Sequence, residues 1–281
     1  MTWLKSPISA LIFAFMFILL SNCSENQVDI ANNASEDQAA EEIFNSGEKK
    51  ILRKRYSEAA EKFTEVERLY PYSDWAKRAL IMQVYSYHKN QSYDNVVSAA
   101  NRFIEFNPND KDVPYAYYLI GLSYYDRVLA IGRDQELAKE ALKVFSLITE
   151  EYPNSEYASS SQLRFNFLRD HLASKEMEVG RYYLKRLHYA PAINRFRGVI
   201  EEFSTTSQVP EALHRLVEAY LSLGLLNEAQ TAGAILGYNY RSTQWYDRTF
   251  ELLGSKGLKP KSSGNSWLNQ VYRQVVKGQW L

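Results

Sequence analysis

Cysteine is almost absent: Cys23 is the only one in 281 residues. That excludes a disulfide framework, so the core must hold by packing alone. Glycine and proline are sparse too, at 12 and 8, which argues against a turn-rich all-β fold and for helices. Net charge is missing. The 33 basic and 33 acidic residues cancel, so nothing drives the chain toward nucleic acid. The apolar run Ile8 to Leu20 has only 13 residues, whereas a membrane-spanning helix needs about 20. Catalytic signatures are lacking as well. There is no Gly-x-Ser-x-Gly, no phosphate-binding glycine loop, no dinucleotide fingerprint and no His-Glu-x-x-His. His88, His171, His188 and His214 have no second ligand at helical spacing, so no metal site and no enzyme activity are expected.

What is present begins at the N-terminus. Lys5 forms a sparse positive region, Ile8 to Leu20 an apolar core, and Leu20-Ser21-Asn22-Cys23 follows. This order reads as a bacterial lipobox, although Asn22 stands where Gly, Ala or Ser is usual. Residues 1–22 are then a signal peptide, and Cys23 is the lipidated N-terminus of a lipoprotein. The lipid (an N-acyl chain and an S-diacylglycerol) is the one covalent group expected; no cofactor is. Residues 23–38 are polar and acidic with little to bury, and are expected to form a flexible tether. Such a tether reaches roughly 20–25 Å.

From Ala39 the chain repeats itself. Tyr56 to Phe63 leads to Tyr70-Pro71, Tyr93 to Ala100 to Asn107-Pro108, Ala138 to Phe145 to Tyr152-Pro153, and Tyr189 to Phe196 to Phe203-Ser204. Ala59/Phe63, Ala141/Phe145 and Ala192/Phe196 are i, i+4 pairs on one helix face. Twelve residues before the small position stand Gly47, Val84, Gly180 and Val217, marking a first helix. Units recur after 37 residues, as from Ala59 to Val96 and from Ala192 to Ala229. The third unit carries about eight extra residues around Ala130–Gln135, in a longer helix or a longer loop. This spacing resembles the tetratricopeptide repeat. The expected fold is therefore all-α, a right-handed solenoid of about five helix-turn-helix repeats over residues 39–253. The units fall at roughly 39–71, 76–108, 114–153, 157–204 and 208–240.

Tyr87, Tyr183 and Tyr220 recur at the packing position and are expected in the core. Tyr117/Tyr118, Tyr124/Tyr125 and Tyr182/Tyr183 are adjacent pairs, so one of each must turn from the core, since neighbours on a helix point about 100° apart. Exposed tyrosines in a groove suit a peptide ligand. Lys49, Lys50, Arg53, Lys54 and Arg55 cluster at the first turn, either as a solvated helix end or as a site for anionic lipid or an acidic partner. Residues 254–264 read as a flexible basic linker and 265–281 as an amphipathic helical segment. That tail could dock on another subunit, lie on a membrane or fold back on the repeats.

Together, the signal, the lipobox and the wording of the repeats resemble the BamD family. The segments that carry the likeness are Arg68–Ser73, Ala99–Pro108, Tyr115–Leu122 and Glu151–Ser155, followed by Tyr182-Tyr183. The resemblance implies a non-enzymatic lipoprotein on the periplasmic face of the outer membrane. It implies membership of the β-barrel assembly (BAM) complex, with BamA and other BAM subunits as partners and unfolded outer-membrane proteins as substrates. By the same resemblance Asn194, Arg195 and Tyr182 are the expected partner-binding residues, with Arg195 meeting a partner carboxylate. Tyr70, Tyr72 and Tyr118 are expected on the substrate side. Ser24 after the lipidated cysteine fits outer-membrane sorting. Two rivals share parts of the pattern: a pilotin or other lipid-anchored repeat scaffold, and a helical scaffold of a peptidoglycan-cleaving enzyme.

Overall fold

The computed structural model describes residues 25–262 and 267–277; the signal segment and Cys23 lie outside them. Among the described residues there are twelve helices and no strand. Four of the expected repeats are helix pairs: α1 (Glu25–Leu52) with α2 (Tyr56–Leu69), α3 (Asp74–Lys89) with α4 (Tyr93–Phe106), α7 (Ala158–Lys185) with α8 (Tyr189–Glu202), and α9 (Val209–Ser222) with α10 (Leu226–Asn239); the third expected repeat spans α5 (Val113–Tyr125), which closes the first unit, and α6 (Glu136–Glu151), which belongs to the second. Two more helices follow, α11 (Gln244–Ser255) and α12 (Trp267–Lys277). Contacts divide the chain into two compact units, one ending at Ser123 and the other beginning at Tyr124.

The tight turns inside the pairs share one device. The first helix ends in a left-handed residue: Lys54 (φ 58), Gln91 (φ 58), Leu187 (φ 62) and Gly224 (φ 74). The next amide then bonds back to the last helical turn, as Arg55 to Lys50, Ser92 to Tyr87, His188 to Tyr183 and Leu225 to Tyr220. These bonds satisfy carbonyls that a helix end leaves orphaned. Only one of the four positions is glycine, so three of the turns hold a side chain in a conformation that costs about 1–2 kcal/mol. Between pairs, the chain turns at the residues read as helix stops. Ser73, Asp110, Ser155 and Thr206 donate their amides to the carbonyls of Tyr70, Asn107, Tyr152 and Phe203.

The i, i+4 pairs lie in the core as their spacing predicts: Ala59, Phe63, Ala141, Phe145, Ala192 and Phe196 are fully buried. The twelve-residue offset has a steric cause in two pairs. A Cβ on Gly47 would stand 2.8 Å from the Phe63 ring, and one on Gly180 would meet Phe196 closer still. The glycine lets the facing phenylalanine fill the space a side chain would take. In the first unit Phe44 adds to this, with ring centroids 5.2 Å from Phe63 and 4.9 Å from Trp75.

Two segments differ from expectation, and a third takes one of two alternatives left open. Residues 25–38, expected as part of a flexible tether, have helical backbone continuous with the first repeat helix. The run holds no glycine or proline, and extending a formed helix costs little once its end is packed. In the third repeat, of the longer helix and the longer loop left open, the chain takes the loop, 126–135, and both helices keep ordinary lengths. Buried Gln135 ties that loop, its amide donating to the carbonyls of Ala130 (3.3 Å), Ile131 (3.3 Å) and Arg133 (2.9 Å). The second difference is the basic stretch after α11, expected to be a flexible linker. It is strapped to α10: Gln230 Nε2 donates to the Lys259 carbonyl at 2.7 Å, and the Lys261 amide donates to the Gln230 carbonyl at 3.2 Å. Of the three fates left open for the tail, the structure takes the fold-back. Leu268 is fully buried in the core of the second unit, and Trp267 and Val271 pack beside it.

Candidate partner-binding site

The long helix α7 and the shorter α8 face each other in the second unit, and their facing surfaces carry Glu176 and Arg195. Ala192 and Phe196 bury one side of α8, which leaves Asn194 and Arg195 on its exposed side. Arg195 Nη1 donates to both oxygens of Glu176, at 3.0 and 3.4 Å. The two residues line a concavity of ≈ 370 Å³ with Tyr183, Pro191, Asn194, Gly198 and Glu202. An exposed ion pair contributes about 0–1 kcal/mol. Glu176 therefore holds Arg195 in place without committing it, and a better-aligned carboxylate on a partner can exchange with it.

Tyr182 belongs to the same helix but to a different face. It is half exposed, with the Arg186 guanidinium 4.1 Å over its ring and the Tyr183 ring at 5.6 Å, edge-on. Leu187, two-thirds exposed, follows at the left-handed turn. Tyr182 thus stands beside the concavity rather than in it, since Tyr183 is the ring that lines it.

The residues expected on the substrate side all belong to the first unit and are not alike. Tyr72 is fully exposed at the turn after α2. Tyr70 ends that helix and lies partly buried against the core of the first unit. Tyr118 is half-buried in α5. Of the recurrent tyrosines, Tyr220 is buried and Tyr87 and Tyr183 are half-buried. Of the adjacent pairs, only Tyr182/Tyr183 exposes a ring by half or more. In the basic cluster, Lys50 and Arg55 both pair with Glu58, the latter at 3.7 Å. The hydrogen bond from Lys50 holds the Glu58 carboxyl below its ordinary value. Arg53 and Lys54 are exposed.

In α9, Arg215 bridges Glu211 (3.2 Å) and Glu218 (2.9 Å). Burial pushes the Glu218 carboxyl up, but the bonds from His214 and Arg215 outweigh it and bring it below the ordinary value. No group of three His, Cys, Asp or Glu is placed to hold a metal among the described residues. No described helix is long and apolar enough to cross a membrane. Glu176 was not anticipated from the sequence. It lies four before Gly180, as Arg195 lies three after Ala192, so the glycine–alanine offset was the signal that could have paired them.

Residues 36–235 match the YfiO family model, described as an outer membrane lipoprotein. The chain is similar to the outer membrane protein assembly factor BamD of Caulobacter vibrioides, 40% identical over 225 residues, covering 80% of this chain and 74% of the relative. It is 38% identical over 211 residues to BamD of Rickettsia prowazekii, covering 75% and 84%. With BamD of Xylella fastidiosa strain 9a5c the identity is 28% over 239 residues, covering 82% and 81%.

Proposed function

The chain belongs to the YfiO/BamD family of outer membrane lipoproteins, and from that premise we propose that it is a lipid-anchored scaffold of outer-membrane β-barrel assembly on the periplasmic face of the membrane. It binds BamA through the Asn194–Arg195 concavity, with Tyr182 at its edge, and holds unfolded outer-membrane proteins on the repeats of its first unit. The observation that carries this reading is the position of Arg195. It is an exposed cation, held ready by an exchangeable carboxylate in a concave site.

No covalent step is involved. The chain grips. Acyl chains on Cys23 contribute about 0.8 kcal/mol for each buried CH₂, so several chains make anchoring effectively permanent. Confinement to a layer beside the membrane raises the local concentration of embedded partners. Arg195 then supplies a charge-assisted bond to a BamA carboxylate, and Tyr72 offers an exposed aromatic surface to a substrate chain.

Pull-down from membranes in mild detergent tests the assignment. Arg195→Glu places a second carboxylate beside Glu176 and is expected to abolish co-purification of BamA. Retention of BamA at wild-type level by that variant removes the interface. Incorporation of radiolabelled palmitate is expected in the wild type and not in Cys23→Ala.

A further inference from the structure

The first unit contains a second concavity, of ≈ 420 Å³, where α2, α3 and α4 meet. Its chemistry breaks the repeat. Gln83 is buried at a position of α3 where a core residue is expected. Its amide donates to the Thr64 hydroxyl, and its carbonyl oxygen accepts from Arg102 Nη2 at 3.1 Å. The same Nη2 donates to Glu67 at 2.8 Å. Arg102 Nε is buried with no hydrogen-bond partner. Arg68, Tyr87, Asn95 and Ser98 complete the wall, so two guanidinium groups face one carboxylate.

The matching seam in the second unit shows what the fold does with such a place. In repeat register, Glu67, Gln83 and Arg102 correspond to Ile200, Leu216 and Ile235, all buried aliphatics. Thr64 and Tyr87 correspond to Arg197 and Tyr220. Those two residues hold a piece of the chain's own tail. Trp267 lies over Arg197 at 4.8 Å, and its Nε1 donates to the Tyr220 hydroxyl at 3.3 Å. One seam is apolar and takes a tryptophan–leucine segment in cis. The other has the same helices around it, a buried amide supporting an arginine, and an unused buried donor.

We propose that the Gln83–Arg102 concavity is a binding site for a peptide segment, which it fixes by a carboxylate on the Arg102 guanidinium. A carboxylate matches the planar fork of arginine and would exchange with Glu67, as a neutral ligand would not. Gln83 is a positioning residue: it orients the guanidinium from behind. Buried polar groups that depart from an apolar repeat are expected where function requires them. Only the source of the segment rests on the scaffold reading above; the chemistry of the site does not.

The test uses the soluble chain from residue 24 onward with ¹⁵N-labelled arginine, and follows the Arg102 Nε–H signal. The probes are acetyl-Ser-Trp-Leu-Asn-Val with a free carboxyl terminus, the same peptide as its amide, the amide with Asp in place of Asn, and inorganic phosphate. The free acid or the Asp peptide is expected to shift the signal and to bind at least ~10-fold more tightly than the plain amide. Which of those two does so tells a terminal from a side-chain carboxylate. Equal binding of the plain amide overturns the proposal, and so does a shift with phosphate and with no peptide, which marks an adventitious ion only. Gln83→Leu installs the residue of the fifth repeat and Arg102→Lys keeps the charge without the fork. Each is expected to weaken binding by ~10-fold with the helical melt preserved, and unchanged affinity in both overturns the proposal. Loss of BamA capture on Arg195→Glu leaves this response intact, so the two readings fail separately.

Discussion

The seam between the first two helix pairs is polar, and that between the last two is apolar, though the same repeat builds both. At Glu67, Gln83 and Arg102 the first unit places groups that need partners, and their counterparts Ile200, Leu216 and Ile235 close the second unit with packing. The apolar seam gains a further layer, because α11 and the returning tail add Leu253 and Leu268 to its core. The lesson is a division of labour within one motif. Where the repeat keeps its aliphatics it gathers stability, and where it replaces them it gains a site that can exchange partners.

The comparison is sharpest where both units use one device. Phe63 and Phe196 each fill the space over a glycine, so Phe63→Ala and Phe196→Ala should each cost about 3–5 kcal/mol in chemical denaturation. A difference of more than twofold between them would show that the two cores are not built alike. Leu268→Ala should cost about 2–5 kcal/mol, and the lost protection from hydrogen exchange should fall in α9, α10 and α12. Unchanged exchange there would mean that the tail is not part of the second core. Smaller effects belong to the turns. Leu187→Gly should stabilise by about 0.5–1 kcal/mol, and Gly224→Leu should destabilise by a similar amount. Equal signs for the two would break the assignment of a common left-handed turn.

The smallest effects concern pH, and they run in opposite directions in the two units. Burial pushes the Tyr115 phenol of the first unit up to about 12 from 10.0. The folded state therefore holds this proton more tightly than the unfolded one, and stability is lost as pH rises from 10 toward 12. In the second unit burial lowers His171 below 6.5, against the opposing effects of the Leu129 backbone and Asp170. Its contribution is complete above pH 6.5 and fades as pH falls through the folded value. Tyr115→Phe should flatten the alkaline limb of a melting profile, and His171→Gln the limb just below pH 6.5.

Much of the fold was legible because steric complementarity leaves a period. The small-then-Phe pairs at i, i+4 and the twelve-residue offset gave the helix pairs and their order. Proline after Tyr70, Asn107 and Tyr152 gave the ends. The left-handed turns were less visible, since Lys54, Gln91 and Leu187 stand where glycine would have signalled them. Arg195 could be read as exposed from its neighbours Ala192 and Phe196. Its partner Glu176 was signalled only by the offset between Gly180 and Ala192, and the seating of Tyr70 against the core had no such signal, because it depends on how two helices are set against each other.

The sequence by itself determined an all-α chain of paired helices, because apolar spacing within a helix and the helix stops are properties of neighbouring residues. Tertiary structure alone decided that 25–38 continue a helix, that the basic stretch after Ser255 is tied down, and that Trp267 returns to Tyr220 and Arg197. The reason is physical. A local pattern fixes which face of a helix is buried, whereas contact between segments far apart in the chain is settled by which surfaces remain uncovered once the pairs have packed.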